Sequence, residues 1–443
     1  MAQPVEAFKN AFRIPELKQR IYFTLIMLAV YRLGAHVPTP GINGEALATA
    51  MGDLGGLMGF YDMFTGGAFK EATLFALGIM PYISSSIIMQ LLTAVIPALE
   101  KLAKEGAEGQ KKITEYTRYG TIVLCIVQSI GVAAMLQGMN TEAMQVVANP
   151  GLFFYFLCII SFTTGTAFVM WLGEQISEHG VGNGISLIIF VSIVARMPQA
   201  LLRVFQLIGA DELSVFTAGI LAVLMVGLVA GVIMVTTGQR RVPVQYPRQV
   251  RGSKSYGGSR SYLPLRVNQA GVIPIIFASS LLMLPGMATK WVNVPFISTF
   301  IEDHFRYGGV LYTIAEVALI VFFCFFYTAI TFNPIEMADN MKKYGGVIMG
   351  VRPGKATADY LNRVMTRITV VGALFLAFVA ILPQIVYVVL DVRDGLITSF
   401  LGGTSLLILV GVALDTVRQI EQHLVMRNYD GFTGSGRMRA RRF

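Results

Sequence analysis

Apolar residues in this chain come in long unbroken runs rather than alternating with polar ones. The runs fall at 21–37, 72–97, 119–137, 151–173, 184–207, 215–237, 268–289, 310–332, 367–390 and 402–420. About 20 apolar residues in helical form span a bilayer. None of the runs shows the period-2 alternation of a membrane barrel. The pattern predicts an all-α fold, a polytopic membrane protein of ten transmembrane helices. Composition agrees: 54% of the 443 residues are apolar and 14% are charged, against about 25% charged in a soluble domain. The first run follows a polar start and ends without a small-residue cleavage site, so it is expected to remain as a span.

Charge sets the orientation. The net charge is +9. Lys and Arg crowd the start, the loops after the second, sixth and eighth runs, and the tail from Arg427 onward. The alternate loops and run ends carry Lys70, Arg203, Lys290, Arg306 and Arg393. An even number of spans puts both termini on one side, and the positive-inside rule makes that side the cytoplasm. Two basic cytoplasmic loops, 238–267 and 333–366, are long for structureless connections. Their apolar punctuation (Val242, Val244 and Tyr246; Val347, Ile348 and Met349) predicts ordered protrusions, a hairpin being one form. A solvated topology anchor is the alternative.

An internal repeat is present. Gly78-Ile79-Met80-Pro81-Tyr82-Ile83 recurs as Gly271-Val272-Ile273-Pro274-Ile275-Ile276, and each copy is followed by small residues. The copies open the second and seventh runs, five spans apart. An odd number of spans per half inverts one half relative to the other, the mark of inverted-repeat channels and transporters. Chance is the plainer explanation, since Gly, Pro and Ser are common in membrane helices. Ile79 and Ile83 share a helix face, as do Val272 and Ile276. If the copies face each other, these side chains form an apolar constriction of the kind that gates by dewetting. Packing against lipid or core is the ordinary fate of such isoleucines.

Signals for chemistry are scarce. His36, His179, His304 and His423 are scattered, and no metalloprotease or nucleophile-elbow motif occurs. Residues 350–356 resemble a phosphate loop only superficially, and Gly180-Val181-Gly182-Asn183-Gly184 reads as a turn opening the fifth helix. Cys125, Cys158 and Cys324 lie in apolar runs and suggest no disulfide framework. The charges inside runs, Arg32, Glu174, Arg196, Glu316 and Asp415, read as lying near run ends, so no ion relay is apparent. Residues 60–68, Phe-Tyr-Asp-Met-Phe-Thr-Gly-Gly-Ala, are too short to span and too apolar for an exposed loop. They read either as a re-entrant segment, which requires a protein-lined cavity, or as an interfacial helix on the outer face. These readings leave a channel, a solute transporter and an intramembrane enzyme as classes. The enzyme lacks a catalytic pair and the transporter lacks a midplane polar site.

Seven stretches resemble the SecY family of translocation-channel subunits: GIMPYISSSIIMQLL (78–92), MWLGEQISEHGVGNGIS (170–186), GQRRVPVQY (238–246), LPLRVNQAGVIPIIFASS (263–280), FNPIEMADNMKKYGG (332–346), GVRPGKATADYL (350–361) and GGTSLLILVGVALD (402–415). They occur in the family's order and cover the chain from about 20 to 420. The resemblance implies two inverted halves of five helices around a central pore, spanning 21–209 and 210–424. A cytoplasmic segment, 1–20, precedes them and a basic cytoplasmic tail, 425–443, follows. It implies a pore ring of Ile79, Ile83, Ile189, Ile276 and Ile408. It implies a plug at 60–70, carried by Tyr61, Asp62, Met63, Phe64, Thr65, Gly66 and Gly67. A lateral gate would lie between the second and seventh spans, with Ser84, Ser85, Ile87, Ser279 and Ser280 along it. Arg240, Arg241, Arg248, Arg251, Lys254 and Arg352 would dock a motor or the ribosome. The implied function is passage of unfolded preproteins across, and of signal sequences and membrane helices into, a bacterial inner membrane, with no catalysis and no cofactor. The implied partners are SecE, SecG, the SecA ATPase, the ribosome and membrane lipid.

Overall fold

The computed structural model describes residues 14–44, 46–47, 49, 62, 64–140, 145–246, 248–251, 254–257, 260–288, 309–389 and 403–434. Each of the ten apolar runs carries a helix. The first half holds α1 (Pro15–Gly34), α2 (Met80–Val95), the short α3 (Pro97–Lys104), α4 (Ala107–Gly138), α5 (Leu152–His179) and α6 (Gly184–Gly209). The second holds α7 (Val215–Thr237), α8 (Ile273–Ala288), α9 (Val310–Thr331), α10 (Pro334–Lys343), α11 (Lys355–Val389) and α12 (Gly403–Gly434). Six helices among the described residues are long and apolar enough to cross a membrane, and the bent pair α2–α3 makes a seventh. The helices α1, α8 and α12 complete the ten runs without meeting that criterion alone: charges interrupt α1 and α12, and α8 has 16 residues.

Local chemistry explains the boundaries. Proline, which fixes φ and has no N–H to leave unpaired, sits in the first turn of α1, α2, α3 and α10. Asn183 caps α6 by accepting from the Ser186 N–H, and Asn333 caps α10 by accepting from those of Ile335 and Glu336. Ile96 precedes Pro97 and is held extended at φ −93°, ψ 114°. The chain bends by 101° there, and α3 leaves the axis of α2 with no buried residue of its own. The second helix begins at Met80, eight residues inside its apolar run, because residues 66–79 are turns.

Packing sorts the helices into two groups of five. In the first, α1 packs on α5 and α6, α2 on α4, α4 on α5, and α5 on α6. In the second, α8 packs on α9, α9 on α11, α11 on α12, and α7 on α12. The groups meet where α2 touches α8 and where α6 touches α12 and α7. One large apolar cluster runs through both groups.

The strands lie in the loops where ordered protrusions are expected. A hairpin of β1 (Gln239–Gln245) and β4 (Arg260–Arg266) is antiparallel over its full length, and β2 (Arg248–Arg251) pairs with β3 (Lys254–Gly257) beyond it. From the other loop, β5 (Val347–Ile348) joins the free edge of β1.

Candidate functional site

The two repeat copies adopt one local structure. Gly78 and Gly271 both have positive φ, +56° and +64°, a region open to glycine at no steric cost. Each is followed by a helix with proline as its second residue, Pro81 in α2 and Pro274 in α8. The Ile83 N–H donates to the Ile79 carbonyl at 3.1 Å, and the Ile276 N–H to that of Val272 at 3.3 Å. These turns bring α2 and α8 together at one of the seams between the groups.

The five isoleucines sit on the helices that form the seams. Ile79 and Ile83 are on the cap and first turn of α2, Ile276 on α8, Ile189 on α6 and Ile408 on α12. All are buried, none more than 6% exposed, and all belong to the same apolar cluster. Such a surface offers a passing ion no ligand.

Asp62 and residues 64–70 pack inside the protein, against the interfacial-helix reading. Asp62, Phe64, Thr65 and Gly66 are buried, Gly67 is half-buried, and Phe64 joins the isoleucine cluster. Tyr61 and Met63 lie outside the described residues. The Thr65 hydroxyl donates to the Asp62 carbonyl at 3.1 Å and accepts from the Phe69 N–H at 3.2 Å. The Gly67 N–H returns to the Asp62 carbonyl at 3.0 Å. Short side-chain and backbone bonds of this kind let non-helical chain sit at depth without orphaned polar groups.

Two arginines grip this segment. Arg32 of α1 donates to the Gly66 carbonyl at 2.9 Å, and Arg196 of α6 pairs with the Asp62 carboxylate. Arg196 lies at the middle of α6, which corrects the expectation that the charges inside runs lie near their ends. A charge in mid-span is itself a functional signal, and it was available in the sequence, since Arg196 falls at the centre of the run 184–207.

Three serines of the α2–α8 seam, Ser85, Ser279 and Ser280, are satisfied within their own halves. Ser85 donates to the Thr117 carbonyl of α4 at 2.8 Å. Ser279 and Ser280 donate back to Ile275 and Ile276 at 2.8 and 2.7 Å. Ile87 is 1% exposed and Ser84 half-buried. The opposite seam is pinned by a polar bond, the Gly182 N–H donating to Gln419 Oε1 of α12 at 2.9 Å, while Arg418 braces α12 within its own group by donating to the Thr236 carbonyl of α7 at 3.2 Å. Thr24 Oγ1 accepts from the Val181 N–H at 3.0 Å, and Leu17, Val181 and Ile420 close the same corner.

The two basic loops form one unit. Val242, Val244 and Leu265 of the hairpin pack with Phe332, Met341, Ile348, Leu361 and Met365 of the second loop and its flanking helices. Arg240 and Arg241 are exposed on β1. Arg248, Arg251 and Lys254 fall on the distal strands β2 and β3. Arg352 is exposed between β5 and α11, its carbonyl accepting from Thr357.

Two groups of five helices, meeting at seams lined by buried apolar side chains and enclosing a folded-in segment, define a polytopic helical membrane channel. A family model, SecY, matches residues 73–417, well over half of the chain. The protein translocase subunit SecY of Streptomyces griseus is 47% identical over 439 residues, covering 96% of this chain and 99% of that protein. Those of Aquifex aeolicus and Escherichia coli K12 are 43% and 44% identical over 430 and 425 residues, covering 96% and 94% of this chain and 99% and 93% of those proteins. The chain therefore belongs to the SecY family. Its fold is similar to a solved protein-conducting channel, with a TM-score of 0.63 at 19% identity, covering 94% of this chain and 96% of that one. It is also similar to Sec61 in a canine ribosome–channel complex, with a TM-score of 0.60 at 18% identity and the same coverage.

Proposed function

We propose that this chain forms the pore of a protein-conducting channel, which passes unfolded secretory polypeptides across the membrane and releases membrane helices sideways into lipid. The observation that carries this reading is the placing of Ile79, Ile83, Ile189, Ile276 and Ile408 on α2, α6, α8 and α12, the helices of the two seams. A ring on seam helices widens when the halves part and closes against ions when they return. Residues 60–70 act as the plug. The α2–α8 seam is the lateral gate, weak because its serine hydroxyls are spent within each half, and the α6–α12 seam stays closed. The joined cytoplasmic loops, with Arg240, Arg241, Arg248, Arg251, Lys254 and Arg352, dock the SecA ATPase or the ribosome. SecE and SecG complete the complex. Both termini face the cytoplasm of a bacterial inner membrane.

The chain does no covalent chemistry in this account; work comes from its partners. The buried Glu316 carboxylate does not favour a coupled transporter. It accepts from Gln384 Nε2 at 3.1 Å, between α9 and α11 inside one half and away from the seams.

The test is protease protection of a secretory precursor in proteoliposomes holding this chain with SecE, supplied with SecA and ATP. Protection that needs ATP and an intact signal sequence is expected. Its absence from folded complex with SecA bound would return the chain to the transporter class.

A further inference from the structure

The side-chain polar grips on the described residues of the segment 60–70 come from the first half of the channel. They come from α1 and α6: Arg32 on the Gly66 carbonyl at 2.9 Å, and Arg196 on the Asp62 carboxylate. Asp62 Oδ1 also accepts from the Lys70 N–H at 2.8 Å, so the carboxylate orients both ends of its own turn. The fit on α6 is close. A Cβ on Gly66 would come within 3.0 Å of the Ser192 backbone, and Ser192 is itself fixed by the Tyr31 hydroxyl of α1 at 2.8 Å. None of these contacts reaches α7–α12, so parting the halves leaves them intact.

We propose that the Asp62–Arg196 ion pair is a latch: it holds the plug segment in the waist and must break, separately from opening of the α2–α8 seam, before the pore clears. This rests on the plug reading above and adds the residues that set its release.

The pair is built to hold and yet to let go. Its side chains are 7% and 15% exposed, so the attraction acts in a poorly screened setting. Yet Arg196 Nε is buried without a partner among the described residues, so the guanidinium is not fully engaged. Asp62 is the half of the pair that release would displace. It lies in a segment tied down by turns, whereas Arg196 is fixed at the middle of a 26-residue helix. When Asp62 leaves, Arg196 keeps its charge in the waist, which favours the return of the carboxylate.

The test uses the complex in proteoliposomes, with Ala68→Cys as reporter. Ala68 is 1% exposed and sits beside the latch, and Cys125, Cys158 and Cys324 are buried. Labelling by a membrane-impermeant thiol reagent added outside, and resting ion conductance, are measured together. The shape-conserving Asp62→Asn and Arg196→Met should each raise both by about tenfold or more, since losing one partner leaves the other buried and uncompensated. The double variant should be no worse than either single one, because one interaction is lost once. Labelling that rises without conductance would uphold the latch and overturn the plug reading. Unchanged labelling in both single variants, or additive effects in the double, would overturn the latch. Export by the variants, scored in the same vesicles, separates these results from misfolding.

Discussion

Glycines fix how closely the helices approach at the waist. A Cβ on Gly411 of α12 would come within 2.5 Å of Val272 Cγ1 at the start of α8. One on Gly120 of α4 would come equally near Ser85 Oγ of α2. Gly411→Leu should therefore cost about 1–3 kcal/mol through overpacking, read as a lower Tm of the purified complex. Adding Val272→Ala should recover part of it; no recovery would mean that α8 and α12 do not meet there. Arg118 and Glu174 form a two-pronged pair, both bonds 2.8 Å, between α4 and α5. The arginine is 43% exposed, so Arg118→Ala should cost only about 1–2 kcal/mol, below the value of a fully buried pair. At this scale the sequence was half legible. The isoleucines could be named from motif positions, but their burial at the seams needed tertiary structure. Arg196 was visible as a charge in an apolar run, whereas its partner Asp62 lay in a stretch with two readings, and pairing across 134 residues has no local signal.

Helix positions were the most legible elements, because a run of apolar residues long enough to span leaves few alternatives. The starts of α2 and α8 were also readable, since the repeated Gly and Pro act locally. The two cytoplasmic loops were expected as separate protrusions and instead share one sheet and one small core. Two-residue strands carry no periodicity, so β5 could not be seen from Val347 and Ile348 alone. Val244, 4% exposed and paired with Ile348, is the joint. Placing a carboxylate there should cost about 3 kcal/mol or more. Val244→Asp should therefore make both loops, 238–267 and 333–366, sensitive to limited proteolysis together, while the spans stay intact. Cleavage confined to the first loop would show that the loops are independent.

The whole molecule repeats its packing. Four of the close contacts within the first five spans have a counterpart five spans later: α2–α4 with α8–α9, α4–α5 with α9–α11, α5–α6 with α11–α12, and α1–α6 with α7–α12; the α1–α5 contact has no comparable α7–α11 partner. The repeat that the sequence hinted at through two short motifs thus extends to the arrangement of the halves. A twofold-related pair of bodies with two self-paired seams, α2–α8 and α6–α12, opens most simply by turning about one and parting at the other. The Gly182–Gln419 bond and the apolar corner of Leu17, Val181 and Ile420 favour the α6–α12 side as the hinge of the proposed opening. A cysteine pair at Val181 and Ile420, which share an apolar corner, should leave export unchanged when oxidised; loss of export would place movement there.

The most direct test of the channel account is a cysteine pair across the α2–α8 seam, with ATP-driven protection of a secretory precursor scored before and after reduction. The account predicts that the oxidised channel protects no precursor and that reduction restores protection in the same vesicles. Full protection with the bond verified as closed would contradict it, because polypeptide would then be crossing without that seam parting.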